Sequence, residues 1–249
     1  MPSGVERGSV GRVIGIGTAL NAAAILLGGA LGLAKIRSIP ASTQQWLKIV
    51  LAAMTVWVGV SLMWRHLHGP FLHFLKEFGI LMLSLMLGRV LGQLLRLQKG
   101  VSRLAQFAKG RLAAQPHQPS DGFLACAALF CVGPLALVGA LQDGLQGDYR
   151  ILALKAALDG LAALGFVSTL GAGVLLSALP VLAYQGTVTL LVRWAEPALS
   201  AAGLVEPVGA VAGFLVFATA LVILDLKRVA LADYVPSLIL APAFTYLFH

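Results

Sequence analysis

Apolar residues along this chain fall into long unbroken runs, without the alternation of a half-buried strand or the narrow stripe of a soluble helix. Eight runs stand out, at 13–34, 46–64, 78–97, 122–141, 151–170, 173–192, 207–224 and 229–248. Roughly 18 or more apolar residues in a row predict a helix that crosses a membrane. The pattern therefore predicts an all-α polytopic membrane protein of about eight transmembrane helices. Residues 151–192 are too long for one span and too apolar for a soluble excursion, so a turn is placed at Thr169 to Gly173. That turn carries no charge; read as a helix break inside one span, it leaves seven. The first run is about 22 residues long and exceeds the roughly 7–15-residue core of a signal peptide, so it is read as a span.

Composition agrees and removes alternatives. Of 249 residues, 59% are hydrophobic and 11% charged, with a mean hydropathy of +0.89, whereas soluble domains carry roughly a quarter charged residues. No polar remainder is left for a second domain. Residues 1–249 are read as one membrane domain: a three-helix unit at 1–97, a basic cytoplasmic linker at 98–120, and a five-helix unit at 121–249.

The formal charge of +8 raises the question of a nucleic-acid partner, but the basic residues sit in short loops between the runs, as the positive-inside rule describes. No nucleic acid is expected. With the 98–120 linker inside, ten of the 18 Lys and Arg fall in inner loops, six outside and two within spans, which places both termini on the outer side. Spans one to three then run opposite to spans six to eight, so the two triplets are candidates for an inverted repeat, a common transporter plan with binding near the midplane.

Polar groups that interrupt the apolar runs concentrate between Cys131 and Gly186. Lys155 and Asp159, four residues apart, share one face of a helix. Each charge in mid-membrane costs about 2.5–3.5 kcal/mol on insertion scales, so such residues face protein or a water-filled cavity. Pro134 and Pro180 are read as helix breaks, because proline frees backbone carbonyls that protein, water or substrate must satisfy. Gln142, Asp143, Ser168, Thr169, Tyr184, Gln185 and Asn21 are the side chains that would complete a polar lining. Two readings stay open. In one, Asp159 is a cation or proton site with Lys155 as counter-ion or anionic-substrate contact; in the other, the two form a structural ion pair and the remaining polar groups join helices.

Other signals point away from catalysis and metals. There is no Gly-x-Ser-x-Gly turn, no HExxH and no paired catalytic aspartate motif, and Ser168 lies about 140° round the helix from Lys155, so no enzyme is expected. His66, His68 and His73 beside Trp64 match no standard metal spacing and suit an interface. Gly15-Ile16-Gly17 lacks the third glycine and strand setting of a dinucleotide loop. Cys126 and Cys131 face different sides of a helix, so neither a disulfide nor a metal site is expected, and no cofactor is implied. Arg89 reads as a snorkelling residue. Gly28, Gly29 and Gly32, and Gly88 with Gly92, predict close helix packing.

Three blocks, CVGPLALVGALQDGLQGD, KAALDGLAALGF and LSALPVLAYQG, together with weaker matches from GTALNAAAILLGGALG to VPSLILAP, resemble domain-of-unknown-function family 554 of bacterial integral membrane proteins. The resemblance implies a multi-pass protein of the bacterial cytoplasmic membrane and a candidate transporter, without a substrate or a catalytic residue to carry over. The expected partners are the lipid bilayer and a small-molecule or ion substrate, with a homo-oligomer left open.

Overall fold

The computed structural model describes residues 14–34, 40–67, 70–113, 119–227 and 229–248. Arg7, Arg12, Lys35, Arg37, His68 and Arg228, used in the charge and histidine readings above, lie outside these residues, as do the side chains of Lys109 and Arg111. Regular structure among the described residues is entirely helical: α1 Ile16–Leu33, α2 Ala41–His66, α3 Phe71–Leu94, α4 Leu97–Ala113, α5 Pro119–Val132, α6 Pro134–Gln146, α7 Arg150–Leu170, α8 Gly173–Leu176, α9 Ala178–Ala201, α10 Val205–Ile223, a 3-10 turn Leu231–Tyr234, and α11 Ser237–Leu247. Five helical stretches are long and apolar enough to cross a membrane, and seven spans result if each of two bent pairs counts as one.

Most predicted runs appear as helices, and the differences have local causes. The basic linker at 98–120, expected as a loop, forms α4, bent 59° from α3. Val101, Ala105 and Ala108 recur at helical spacing and turn inward, while Lys99 and Arg103 are exposed, so the segment is amphipathic. Gln98 fastens its start to the 3-10 turn: its N–H donates to Asp233 Oδ1 at 2.9 Å, and the Ala232 N–H donates to its Oε1 at 3.2 Å. The last run yields only the 3-10 turn and the 11-residue α11, with Pro236 between them.

The break expected at Gly133-Pro134 is present, and α5 meets α6 at 59° there. Pro134 takes the first position of α6, where its missing N–H is not needed. Pro180 differs from expectation, since it lies in the first turn of α9 and the irregularity falls at Ser177. The lost N–H of Pro180 cannot take up the Leu176 carbonyl, and the break therefore sits one turn ahead of the proline. The turn predicted near 169–173 is found at Gly171, whose φ of 70° suits a residue without Cβ.

Close approaches fix how the helices run. A Cβ built on Gly17 would meet Leu152, one on Gly28 would come within 2.0 Å of the Gly160 carbonyl oxygen, and one on Gly32 would meet Leu164 and Val167. Residue numbers rise together, so α1 and α7 are parallel. Falling numbers on one side make three other pairs antiparallel: α1 with α9 through Asn21–Gln185 and, in α8 just ahead of α9, Gly29–Leu175, α2 with α10 through Gly59–Phe217 and Gly209–His66, and α3 with α11 through Gly88–Ser237 and the neighbouring Gly92–Asp233. Glycine at these crossings lets backbones touch, as membrane helices require when lipid supplies no competing hydrophobic drive. Many large apolar side chains, including Leu27, Trp57, Met86, Leu190 and Ile239, point outward. A surface this apolar suits lipid contact.

Candidate functional site

The polar side chains inside the bundle come from α1, α6, α7 and α9. On α7, Lys155 Nζ pairs with an Asp159 carboxylate oxygen, and both residues are more than nine-tenths buried. Asp159 is nine residues along a 21-residue helix, so it lies about 14 Å from the start of a helix roughly 32 Å long. Lys155 is one turn nearer that start. The Phe130 ring of α5 lies 5.9 Å from the Lys155 ammonium, a second contact favourable to the cation. Cys126 and Cys131 on α5 are free thiols within electrostatic reach of Asp159.

Asn21 on α1 joins this pair to α9. Its Nδ2 donates to Gln185 Oε1 at 3.2 Å, and the same amide lies against the Asp159 carboxylate. Asn21, Gln142, Asp143 and Gln185 have no solvent-exposed surface. Asp143, expected in a loop together with the residues up to Arg150, belongs instead to the last turn of α6, which runs on to Gln146. Its carboxylate faces the amides of Gly15, Gly17 and Thr18 at the start of α1, although neither oxygen reaches full hydrogen-bond geometry. The N-cap residue Gly15 offers no side-chain cap, and the positive end of the α1 dipole meets this carboxylate instead.

Among the described residues, eight buried side-chain nitrogen or oxygen atoms lack a hydrogen-bond partner, and seven belong to Thr18, Asn21, Gln142, Asp143 and Gln185. Both polar atoms of the Gln142 amide are among them. Thr18 was not singled out in the sequence, although its place one turn before Asn21 on the same helix face would have identified it.

Three other sequence candidates are not brought to this cluster. Ser168 and Thr169 are exposed, and their hydroxyls donate to the carbonyls of Gly165 and Phe166 on their own helix at 2.7 and 3.0 Å. Tyr184 is also on the exposed side of α9. Thr189, by contrast, is buried and ties α9 to α6 by donating to the Ala140 carbonyl at 3.1 Å.

A charged girdle lies where α2 ends and α7 begins. Asp148, between α6 and α7, pairs with Arg150 and lies 3.8 Å from Arg65. Burial alone would raise its carboxyl pKa, but hydrogen bonds from Arg150 and the charges of Arg150 and Arg65 outweigh burial and hold it below its ordinary value. Arg150 stacks at 6.0 Å over the Trp57 ring, and Gln146 Nε2 lies 3.2 Å from His66 Nε2. No group of three His, Cys, Asp or Glu among the described residues is placed to hold a metal ion. Arg89 is exposed, 5.8 Å from the Tyr234 ring.

Comparison with known proteins adds relatives of matching length. The chain is 28% identical over 235 residues to "Uncharacterized membrane protein YdfK" of Bacillus subtilis (strain 168), covering 94% of this chain and 96% of that protein. It is 27% identical over 231 residues to "Uncharacterized protein YqgA" of Escherichia coli (strain K12), covering 91% and 94%. No solved structure matches it. The family described as "Protein of unknown function (DUF554)" matches residues 16–246, nearly the whole chain including every helix of the polar cluster, and the protein belongs to that family.

Proposed function

We propose that this multi-pass membrane protein is a secondary transporter or channel for a small solute or ion, binding it at the polar cluster contributed by α1, α6, α7 and α9. The carrying observation is that seven of the eight unpartnered buried polar atoms gather there, beside a buried charge pair. Native proteins satisfy nearly all their buried polar groups. An apolar bundle has still stronger reason to do so, because lipid offers no partner. Open donors and acceptors concentrated among these four helices therefore suit a site that exchanges water or ligand.

The reading includes an inverted repeat of α1–α3 and α9–α11, supported by the antiparallel contact of each helix with its counterpart. It has eight passes, the last formed by the 3-10 turn and α11. The face bearing Lys48, Lys99, Arg103 and Lys227 is cytoplasmic, both termini are outside, and the membrane is the bacterial cytoplasmic one. The role is non-enzymatic.

The test begins with thermal-shift screening of the purified protein against metabolites and ions, followed by uptake of each hit into proteoliposomes. Asp159→Asn, inserted at the normal level, is expected to abolish uptake; unchanged uptake defeats the proposal. One observation favours a second reading, a non-transporting structural or signalling protein: Lys155 and Asp159 already satisfy each other within one helix. That reading expects no solute to cross.

A further inference from the structure

Resting on the transport reading above, we infer that the polar cluster takes a small zwitterionic solute of zero net charge, of the amino-carboxylate class, with its carboxylate on Lys155 and its ammonium on Asp159. Lys155 and Asp159 neutralise each other, and the third charge, on Asp143, faces the amides of Gly15, Gly17 and Thr18 at the positive end of α1 without full hydrogen bonds. The Lys155–Asp159 pair is thus compensated before any ligand arrives. A bare cation drawn to Asp159 would leave Lys155 buried without its counter-ion, and a bare anion on Lys155 would do the same to Asp159. Breaking a buried pair on one side is strongly unfavourable. A zwitterion exchanges one pair for two, so each buried charge keeps an opposite partner throughout.

Geometry and the neutral groups agree. Positions four apart on a helix hold their Cβ atoms about 5–6 Å apart, so the two heads can part along one face and receive both ends of a short molecule. Phe130, 5.9 Å from the ammonium, continues to support Lys155 as Asp159 turns to the ligand. Asn21 Oδ1 is an open acceptor and Gln185 Nε2 an open donor, although the two amides are already joined by one hydrogen bond. Those open atoms suit the remaining N–H and carboxylate oxygen of such a solute. Gln142 has both amide atoms open.

The experiment measures binding to the purified full-length protein by calorimetry and thermal shift. The probes are glycine, β-alanine and γ-aminobutyrate, compared with methylammonium chloride, sodium acetate and sodium chloride at equal concentration. At least one amino-carboxylate is expected to bind saturably, while the single-charge probes do not. The neutral pair Lys155→Gln/Asp159→Asn, which leaves no unpaired charge to prevent folding, should weaken that binding by roughly 10- to 150-fold, as loss of a charge-assisted hydrogen bond does. Binding of methylammonium, sodium or acetate alone with equal strength overturns the inference, as does undiminished amino-carboxylate binding by the double variant. Binding by none of the amino-carboxylates also overturns it. If uptake of another solute still depends on Asp159, the transport reading survives that failure; if no uptake depends on Asp159, both fall.

Discussion

Replacing Gly28 by alanine adds one methyl group where α1 and α7 cross backbone to backbone, one residue from Asp159. The new Cβ would lie 2.0 Å from the Gly160 carbonyl oxygen and 2.8 Å from its carbon, whereas real Cβ contacts essentially never fall under 3.0 Å. The obstacle is main chain on a rigid helix, so no rotamer change relieves it. The two helices must separate by 1.0 Å or more at that point. Overpacking of this kind costs about 1–3 kcal/mol. A radial gap of about 0.5–1 Å also forfeits a quarter to a half of each dispersion contact it opens, and the seam includes buried Ala22, Ile25, Ala163 and Val167. The expected loss is therefore about 3 kcal/mol, at the upper end of the overpacking range. At roughly 2–4 °C per kcal/mol for a chain of this size, the thermal midpoint in detergent should fall by about 6–12 °C. Gly165→Ala on α7 is the control, because a Cβ there meets nothing within 4 Å and alanine favours the helix. Equal midpoints for the two variants would refute the backbone-on-backbone crossing.

Three further outcomes follow from other contacts. Lys155→Met alone should cost about 3–5 kcal/mol in equilibrium unfolding by leaving Asp159 buried without a counter-ion, while Lys155→Met/Asp159→Leu should recover most of it; equal losses in the single and double variants would exclude a buried pair. Because Asp148 is held below its ordinary carboxyl pKa, its contribution is fully present above the unfolded value near 3.8 and is lost as pH falls through the lower folded value. The stability gap between wild type and Asp148→Asn should accordingly be full at pH 6 and shrink as the pH falls below about 4, as read by pH-dependent unfolding. Thr189→Val, which removes the hydroxyl bonded to the Ala140 carbonyl, should lower stability by about 1 kcal/mol in the same assay.

Sequence pattern went far with the spans and less far with what faces what. Pro134 signalled the α5–α6 break because a missing N–H acts locally, whatever surrounds it. Gly28 and Gly32 signalled close packing, but their partners Gly160 and Leu164, each 132 residues further on, leave no trace in local pattern. The start of α3 at Phe71 was hidden by His73, Lys76 and Glu77, and α4 was masked by the same basic residues that indicated its side of the membrane. In soluble helices polarity separates inside from outside; here both faces are apolar, so a hydroxyl gives no direction. Ser168, Thr169 and Tyr184 face outward for that reason, the two hydroxyls of Ser168 and Thr169 meeting carbonyls of their own helix, while Asn21 and Gln185 have no such local outlet and meet across the interior.

The pairing of Lys155 with Asp159 inside a single helix bears on how the protein enters its bilayer. Chains are made from the N-terminus, and α7 is synthesised before α9. Either charge alone would oppose insertion by about 2.5–3.5 kcal/mol at the helix centre. Bonded four residues apart, they bring their own compensation across the translocation machinery, and α7 can settle in lipid before Gln185 exists. Asn21 enters earlier still, as a neutral amide on a helix otherwise apolar enough to insert alone. The order of charge and amide along the chain thus lets a buried polar site be assembled from helices that each tolerate lipid before they meet.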